Sequence, residues 1–323
     1  MSLSLLRADL IPLLNNDDGP ADAARVSMAK QAANFTEAEN TKLLGFLNRE
    51  LHWSPYGHAR ETFKIVISLE DWAWFLENAI LAGFAWCRDS VPGVVTLDGS
   101  LWAWKENLVW MPSHICEAII TELYRMYPRS APILFPDFKP VLHSSSFVSH
   151  AVYDEKNATL VNASVQNATF RVASSIFIAR QFVKHQVHLC WNEESRRYIS
   201  DPVEFYEGDL RKKGKSIKQG SSDELIDKND TYKGIVHSHH KSCEHLYNAL
   251  LAAECAPEVA RGVLPLNSIT NWVWTGSLRA WARVCKQRCD GHAQKEAEWI
   301  ANQIDHQLEK KYGTVWLDLR AGK

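Results

Sequence analysis

The polar side chains best placed to do chemistry lie in one stretch, residues 176–198. The stretch begins with apolar residues and then interleaves arginines, amides and histidines with Phe182, Val183, Leu189 and Trp191. A helix face made only for solvent would seldom mix these types, so we expect a polar site on a half-buried element. Arginine forks beside amide donors suit a phosphate group together with a planar ring that forms hydrogen bonds.

Five other short motifs in the chain also carry polar residues that could belong to a site. They are residues 24–27 (ARVS), 52–58 (HWSPYGH), 261–267 (RGVLPLN), 270–275 (TNWVWT) and 292–296 (HAQKE). Any one of them could be a capped helix, a turn or surface charge. An ordered set of arginines in a Trp-rich, mostly helical region is harder to explain as surface charge, and it comprises Arg261, Arg279 and Arg288.

Together these motifs resemble those of the flavin-dependent thymidylate synthase family. That family carries an Arg-Gln pair, an Arg-His-Arg triplet and an Asn-Glu-x-Ser-x-Arg-Tyr segment. The corresponding residues here are Arg180-Gln181, Lys184-His185-Gln186 and residues 192–198 (NEESRRY). From Arg261 onward the family's spacing is matched without a gap. The chain therefore resembles a divergent member of the family with a large insertion after residue 58.

The departures from the family pattern concern the flavin and folate more than the nucleotide. Lys184 and Gln186 replace two arginines of the triplet, Gly57 replaces a glutamate, and Arg283 stands where the family often has asparagine. Compared with the family, this chain has one extra residue between the triplet and Asn192. On a helix, that residue would form a bulge or shift the register by about 100°.

The resemblance implies reductive methylation of dUMP to dTMP. Methylenetetrahydrofolate would supply the carbon, reduced FAD the hydride, and NADPH would recharge the flavin, in a homotetramer whose sites draw on several subunits. The reaction needs no cysteine nucleophile, and Cys190, inside the central motif, is interpreted as a packing residue.

Each residue role is carried over from the matching family position. The positions that match dUMP-binding residues are Gln181, Glu193, Ser195, Arg197, Arg261 and Arg288. Three of these are expected to be catalytic, namely Arg288, Arg197 and Ser195. The positions that match FAD-binding residues are Ser27, His52, Ser54, Lys184, His185, Gln186, Arg279 and His292.

Two other functions stay open. The same nucleotide pocket could transfer a different C5 group, such as hydroxymethyl to dUMP or dCMP, because the altered residues lie on the flavin side. Alternatively, the chain could be a catalytically silent nucleotide- or nucleic-acid-binding protein that uses a Trp-rich surface.

The expected fold class is α+β, with a central, mainly antiparallel sheet flanked by helices. We predict two parts of a catalytic domain, residues 1–62 and 166–323, separated by an inserted, Trp-rich α/β subdomain, residues 63–165. Within the insertion the pattern predicts a strand at 62–67, a helix at 72–86, a hairpin turning at Asp98-Gly99 and a helix from residue 113. Its six tryptophans favour a separate core over an aromatic binding platform.

The charge, cysteine content and apolar segments of the chain limit the kinds of protein that it could be. The chain has 323 residues and a formal net charge of −2, so nothing attracts nucleic acid non-specifically. Seven cysteines without a CxxC motif indicate reduced thiols in a cytoplasmic protein, and we expect no signal peptide and no membrane span. Residues 237–245 contain four histidines and a cysteine, which we interpret as a solvated helix face and not as a metal site.

Overall fold

The computed structural model describes residues 3–68, 70–71, 85–88, 93–140, 148–199, 201–214, 221–291 and 293–322. Its strands form three antiparallel sheets within these ranges. The expected class, an antiparallel sheet flanked by helices, is confirmed. No helix of the described ranges is both long enough and apolar enough to cross a membrane.

The main sheet has the strand order β1-β6-β10-β7. Its members are β1 (Arg7–Ile11), β6 (Asn167–Ser175), β7 (Leu189–Glu193) and β10 (Ile269–Ser277). The two central strands, β6 and β10, pair over nine residues, from Ile269 opposite Ser175 to Ser277 opposite Asn167. Both are buried along almost their whole length, which is expected for strands covered on both faces.

Three helices cover one face of this sheet: α6 (Ile176–Phe182), α9 (Leu278–Arg288) and α10 (Lys295–Ala321). Under them lies a cluster of fully buried aromatic rings, and the ring centroids of Trp274 and Trp281 are 4.7 Å apart, edge to face. Edge-to-face contacts of this kind add to the burial of aromatic surface. The aromatic cluster thus fixes α6 and α9 against β10.

The outer edge of β1 is closed by side chains of α10. Gln303 accepts a hydrogen bond from the Ala8 amide at 3.1 Å and donates to the Leu6 carbonyl at 3.1 Å. Gln307 accepts from the Leu10 amide at 2.8 Å and donates to the Ala8 carbonyl at 2.6 Å. The backbone groups of an edge strand, which could pair with another chain, are here satisfied within the molecule.

The second sheet, β3-β4-β2-β5, lies in the insertion. Its strands are β2 (Arg60–Val66), β3 (Ala85–Arg88), β4 (Val94–Ser100) and β5 (Val148–His150), and its helices are α3 (Leu101–Asn107), α4 (Ser113–Met126) and α5 (Ser130–Leu134). Their core is continuous with that of two N-terminal helices, α1 (Gly19–Arg25) and α2 (Glu37–Arg49). The boundaries 1–62, 63–165 and 166–323 stay a prediction.

Within the insertion, two sequence predictions are confirmed and one is wrong. The strand predicted at 62–67 is present as β2 (Arg60–Val66), and the helix predicted from residue 113 is present as α4. The hairpin at Asp98-Gly99 is absent, because both residues lie inside β4, opposite Thr62 and Glu61 of β2. The predicted helix 72–86 falls mostly outside the described residues, and Trp86 belongs to β3.

The central motif is not one element. Helix α6 ends at Phe182, His188 adopts a left-handed φ of 57°, and β7 begins at Leu189. The interval that contains the extra residue, 187–191, therefore lies in a turn and a strand and not in a helix, and the expectation of a helical bulge or register shift is wrong. A left-handed residue that is not glycine marks a tight reversal of the chain.

A long helix, α7 (Asn229–Ala252), is followed by the short helix α8 (Pro257–Ala260). The interpretation of residues 237–245 as a solvated face is wrong at His240, which is 2% exposed and stacks on Phe205 with ring centroids 4.7 Å apart. Its Nδ1 lies 3.0 Å from Glu207, which also contacts His237. Among the described residues, no group of three or more acidic, histidine or cysteine side chains is placed to hold a metal.

Candidate functional site

The first part of the site joins three distant motifs at Ser195. The Ser195 amide donates to the carbonyl of Ser27 at 3.0 Å, and its hydroxyl oxygen accepts from Nη1 of Arg261 at 3.0 Å. Ser195 follows the end of β7, and Arg261 opens a 3-10 turn directly after α8. Two predicted dUMP residues and one predicted FAD residue are therefore neighbours.

Arg197 extends this part of the site. Its Nε lies 4.0 Å from Oε2 of Glu258 on α8, and its guanidinium lies 5.5 Å from the ring centroid of Tyr198. The side chain is 48% exposed, as a group that meets an incoming ligand would be. Together Arg197, Arg261 and Ser195 present two guanidinium groups and a hydroxyl on one surface, which suits a phosphate.

The second part of the site is built around Arg288, the last residue of α9. Its Nε donates to Nε2 of His185 at 3.1 Å, and its Nη2 donates to the Gln181 carbonyl at 3.0 Å. The Gln181 side chain donates to Oε1 of Gln294 at 2.7 Å. The Arg-Gln pair, the triplet and the HAQKE motif therefore meet at one point, as their family resemblance requires.

The environment of His185 keeps its ring neutral. Burial, together with the nearby charges of Arg288 and Arg283, lowers the pKa of His185 to about 4. At neutral pH its Nε2 lone pair can therefore accept the hydrogen bond from Arg288. The bond holds the guanidinium in one orientation.

Glu193, the last residue of β7, links the two parts through the main sheet. Its carboxylate accepts from Oγ1 of Thr270 at 2.7 Å and from Nε1 of Trp191 at 3.2 Å. The Trp191 ring stacks on Trp272 with centroids 4.2 Å apart. The carboxylate is thus held on the β7–β10 strand pair, with both of its oxygens engaged.

On the flavin side, the HWSPYGH motif packs against β7. The thiol of Cys190 donates to the Ser54 carbonyl at 3.2 Å, and burial raises the pKa of that thiol to about 12. A Cβ on Gly57 would lie 2.5 Å from the sulfur, so the contact requires glycine there. Cys190 packs between the two elements, as expected, and His52 remains exposed beside Phe46.

His58, the last residue of this motif, is buried and contacts the main sheet. Its Nδ1 lies 2.8 Å from Oγ1 of Thr275 on β10. Burial lowers the pKa of His58 to about 3; Asn192 opposes this shift and Arg60 adds to it. The ring is therefore neutral at physiological pH and serves to position the motif.

The remaining residues predicted to bind flavin have different surroundings. Lys184 and Gln186 are exposed in the turn after α6. Arg279 donates to the hydroxyl of Ser164 and to the Leu160 carbonyl, both at 3.0 Å, so its guanidinium contacts the end of the insertion. Arg283 donates to the Val187 carbonyl at 3.0 Å. His292, also predicted to bind FAD, lies outside the described residues.

A cavity of ≈ 780 Å³ adjoins the Gln181–Gln294 contact and includes residues that the sequence interpretation missed. Glu296, 3% exposed, accepts from Oη of Tyr206 at 3.0 Å and from Nη2 of Arg211 at 2.5 Å. Burial raises the pKa of Glu296, but the hydrogen bonds it accepts and the charge of Arg211 together bring that pKa below its usual value. Glu296 belongs to the HAQKE motif, so its place in the motif was the available signal.

The fold and this constellation of residues match one protein family. The family model described as "Thymidylate synthase complementing protein" matches residues 148–312, just over half of the chain. The chain belongs to this family.

Comparison with individual relatives is consistent with this family. A flavin-dependent thymidylate synthase of Thermosipho melanesiensis is 36% identical over 146 residues, which is 44% of this chain and 63% of the relative. That of Pseudothermotoga lettingae is 30% identical over 41% of this chain and 57% of the relative. These matches span less than two thirds of the relatives' length. That of Aquifex aeolicus is 25% identical over 91% of this chain and 94% of the relative.

Among solved structures, the chain is similar to a UMP/dUMP methylase, PolB from Streptomyces cacaoi, bound with 5-Br dUMP. The sequence identity is 19%, the alignment covers 98% of this chain and 95% of that chain, and the TM-score is 0.44.

Proposed function

We propose that this protein catalyses the reductive methylation of dUMP to dTMP, with methylenetetrahydrofolate as carbon donor, FAD as cofactor and NADPH as reductant. The observation that carries the proposal is the 3.0 Å bond between Arg261 and Ser195, two predicted dUMP residues 66 positions apart. Their contact supports a nucleotide site built from the motifs that define the family.

In this proposal the nucleotide phosphate binds to Arg197, Arg261 and Ser195. Both arginines are exposed, so a phosphate can reach them without first breaking buried contacts. A guanidinium offers two parallel N–H donors to phosphate oxygens, and the serine hydroxyl adds a third donor. Arg261 already bonds Ser195, which reduces the side-chain freedom that binding must remove.

The pyrimidine edge binds to Arg288. C5 of uracil is a weak nucleophile, and a guanidinium beside a ring carbonyl favours the charge that develops on the ring as C5 attacks. His185 and Gln181 hold Arg288 through two of its nitrogens. Such a group stabilises charge without having to reorient during the reaction.

The residues at the flavin positions fit an anionic dinucleotide. Lys184 and Arg279 are exposed cations, in the turn after α6 and on α9. The exposed Gln186 adds an amide, and the family assigns further contacts to Ser27, His52 and Ser54. When bound, FAD supplies the hydride that completes the methyl group.

The test of this proposal is the absorption spectrum of the purified protein, followed by product analysis. We expect flavin bands after saturation with FAD, and bleaching of those bands by NADPH. With dUMP and methylenetetrahydrofolate added, dTMP should form. A protein that stays colourless at saturating FAD would refute the assignment and favour the catalytically silent alternative.

A second enzymatic function is hydroxymethyl transfer to C5 of dUMP or dCMP. It is favoured by one observation, the engagement of Arg279 by Leu160 and Ser164 of the insertion, which alters the flavin side and leaves the nucleotide side in place. Mass spectrometry of the nucleotide product distinguishes a methyl from a hydroxymethyl group.

The proposed assembly is a homotetramer in which sites are completed by neighbouring subunits. Support comes from α7, which has 24 residues and fully buries only His240 and Tyr247. Tyr232, Ile235 and Leu246 on the same helix are each about half exposed. Light scattering that showed an active monomer would exclude this assembly.

A further inference from the structure

A second cavity lies between the main sheet and the segment that follows α1. This basic cavity has a volume of ≈ 380 Å³, and none of the described residues predicted to bind dUMP or FAD is in its lining. Its polar lining comprises Arg7, Arg171 and Asn271 from the sheet, Lys30, Gln31 and Asn34 from the segment after α1, and Glu194.

Arg171 is a cation without a partner in the wall of this cavity. It is the one residue of β6 that is not fully buried, and its guanidinium makes no hydrogen bond or ion pair with the described residues. Asp9, its cross-strand neighbour on β1, lies 3.7 Å from Arg7 instead. The guanidinium nitrogens keep contact with solvent and can therefore meet a ligand. Because arginine stays charged at physiological pH, the ligand that it favours is an anion.

The segment after α1 brings a second cation and an N–H donor. Lys30 is exposed, forms no ion pair with the described residues, and has its ammonium 5.8 Å from the ring centroid of Phe35. Oδ1 of Asn34 accepts from the Gln31 backbone amide at 3.1 Å. The Nδ2 group of Asn34 is thereby left to donate to a ligand.

The charges in the lining do not cancel. Three cations, Arg7, Lys30 and Arg171, face one carboxylate, Glu194, among the described lining residues. That carboxylate already accepts from Nδ2 of Asn271 at 3.0 Å, and burial raises the pKa of Glu194. A cleft whose walls carry mainly one sign of charge attracts ligands of the opposite sign. The lining therefore favours an anion, and one with more than a single charge.

The basic cavity adjoins the phosphate part of the candidate site. Val26 and Glu194 line the cavity, and their neighbours in sequence, Ser27 and Ser195, are joined by a 3.0 Å backbone hydrogen bond. An anionic group in the cavity can thus belong to a molecule that extends from the candidate site.

Among the proposed reactants, the folate is the one that best matches this position. The cations assigned to dUMP and FAD lie elsewhere, and the folate carries two carboxylates at its glutamate end, remote from the carbon that it transfers. The volume is near the lower end of the range of about 300–1,000 Å³ for ligand pockets. That size suits a glutamate better than the larger phosphorylated adenosine of NADPH.

We propose that the basic cavity binds the glutamate end of the folate co-substrate, an inference that rests on the proposed function. The two carboxylates pair with Arg171 and Lys30, and Asn34 donates to one of them. The folate is thereby held at its far end by groups that take no part in the chemistry.

The test compares folic acid with its diamide, in which both glutamate carboxylates are carboxamides of the same shape. Calorimetry on the full chain, with FAD and dUMP present, should show folic acid binding about tenfold more tightly, which corresponds to about 1.4 kcal/mol. The fragment N-(4-aminobenzoyl)-L-glutamate lacks the pteridine and reports on the cavity alone. Ligand-observed NMR should detect this fragment and not its diamide.

Two variants and a control locate the binding. Arg171→Gln should weaken folic acid binding about tenfold, and Lys30→Gln, at an exposed position, about threefold. Neither should change the affinity of the diamide, which a general disturbance of the fold would. Arg49→Gln replaces an exposed arginine on α2 and should change nothing. Thermal unfolding checks each variant, and Lys30→Gln remains a test if the Arg171 variant does not fold.

Three results would overturn the proposal: equal binding of folic acid and its diamide, an unchanged preference in both variants, or displacement of the fragment by NADPH more readily than by folic acid. Failure of the proposed function is a different outcome. In that case dTMP does not form, while binding of the fragment still depends on Arg171. If dTMP forms and folic acid binds no better than its diamide, the inference about the basic cavity fails alone.

Discussion

The predicted dUMP residues contact one another and two predicted FAD residues, Ser27 and His185, whereas Arg279, another predicted FAD residue, contacts the insertion. Arg288 bonds His185 and the Gln181 backbone, and Arg261 bonds Ser195. Arg279, by contrast, bonds the end of the insertion. The predicted nucleotide side is therefore organised within one chain before ligand arrives, and at Arg279 the predicted flavin side depends on the insertion. The predictions below test this difference.

The largest effect is expected at Arg288. Arg288→Lys keeps the charge but loses the fork that bonds His185 and Gln181, so the chemical step should fall on the order of a hundredfold or more. Arg283→Ala is the matched control, since it removes a neighbouring exposed arginine that bonds only the Val187 carbonyl among the described residues, and it should cost much less. Single-turnover kinetics measure both. Equal and small losses would show that Arg288 does not hold the pyrimidine.

A smaller effect is expected at Arg261. Arg261→Ala removes a charged donor at the phosphate and frees the Ser195 hydroxyl, so the dissociation constant for dUMP should rise about tenfold. Arg49→Ala, an exposed arginine on α2 paired with Glu50, serves as control. Calorimetry with dUMP measures the change, and an unaltered affinity would remove Arg261 from the phosphate site.

On the flavin side, Arg279→Ala should weaken FAD binding by only about threefold, because exposed charged contacts contribute up to about 1 kcal/mol. The same change frees Leu160 and Ser164, so proteolysis near residues 157–164 should become faster. Fluorescence quenching of FAD measures the affinity. A loss of tenfold or more would show that Arg279 leaves the insertion to bind the cofactor.

The smallest effect concerns pH. The folded-state pKa of His58, about 3, lies below its ordinary value of 6.5, so the unfolded chain binds a proton more readily between these values. The stability that neutral His58 contributes is complete above pH 6.5 and is lost progressively as the pH falls toward 3. The thermal midpoint should therefore fall by a few degrees between pH 7 and pH 5. His58→Asn should flatten this slope, and His52→Asn, at an exposed position, should leave it unchanged.

Local patterns predicted some of these elements and could not predict others. The strand predicted at 62–67 and the helix predicted from residue 113 are present, because each is signalled by its own local pattern. The Asp98-Gly99 turn failed because Arg60, Thr62 and Asn167 bind the Asp98 carboxylate inside a strand. The contact between Asp98 and Asn167 joins residues 69 positions apart, so it cannot be recognised from the sequence around either residue.

Two features of the site also could not be predicted from local sequence patterns. The reversal at His188 rests on a left-handed backbone at a residue other than glycine, and nothing in the local sequence required that conformation. Glu296 was visible in its motif, but its bonds to Tyr206 and Arg211 arise only when α10 packs beside the loop that carries Tyr206. The motifs indicated which residues meet, and tertiary packing decided how.

The closed edge of β1 has a consequence for how the chain folds as it is synthesised. β1 is made well before its partners, because Arg7 pairs with Ala173, and Gln303 caps Ala8 across 295 positions of sequence. The insertion, with shorter-range pairings such as Val66 opposite Val94, can form much earlier. Strand β1 therefore leaves the ribosome long before it can be locked in place, and until α10 arrives its edge is open to other chains.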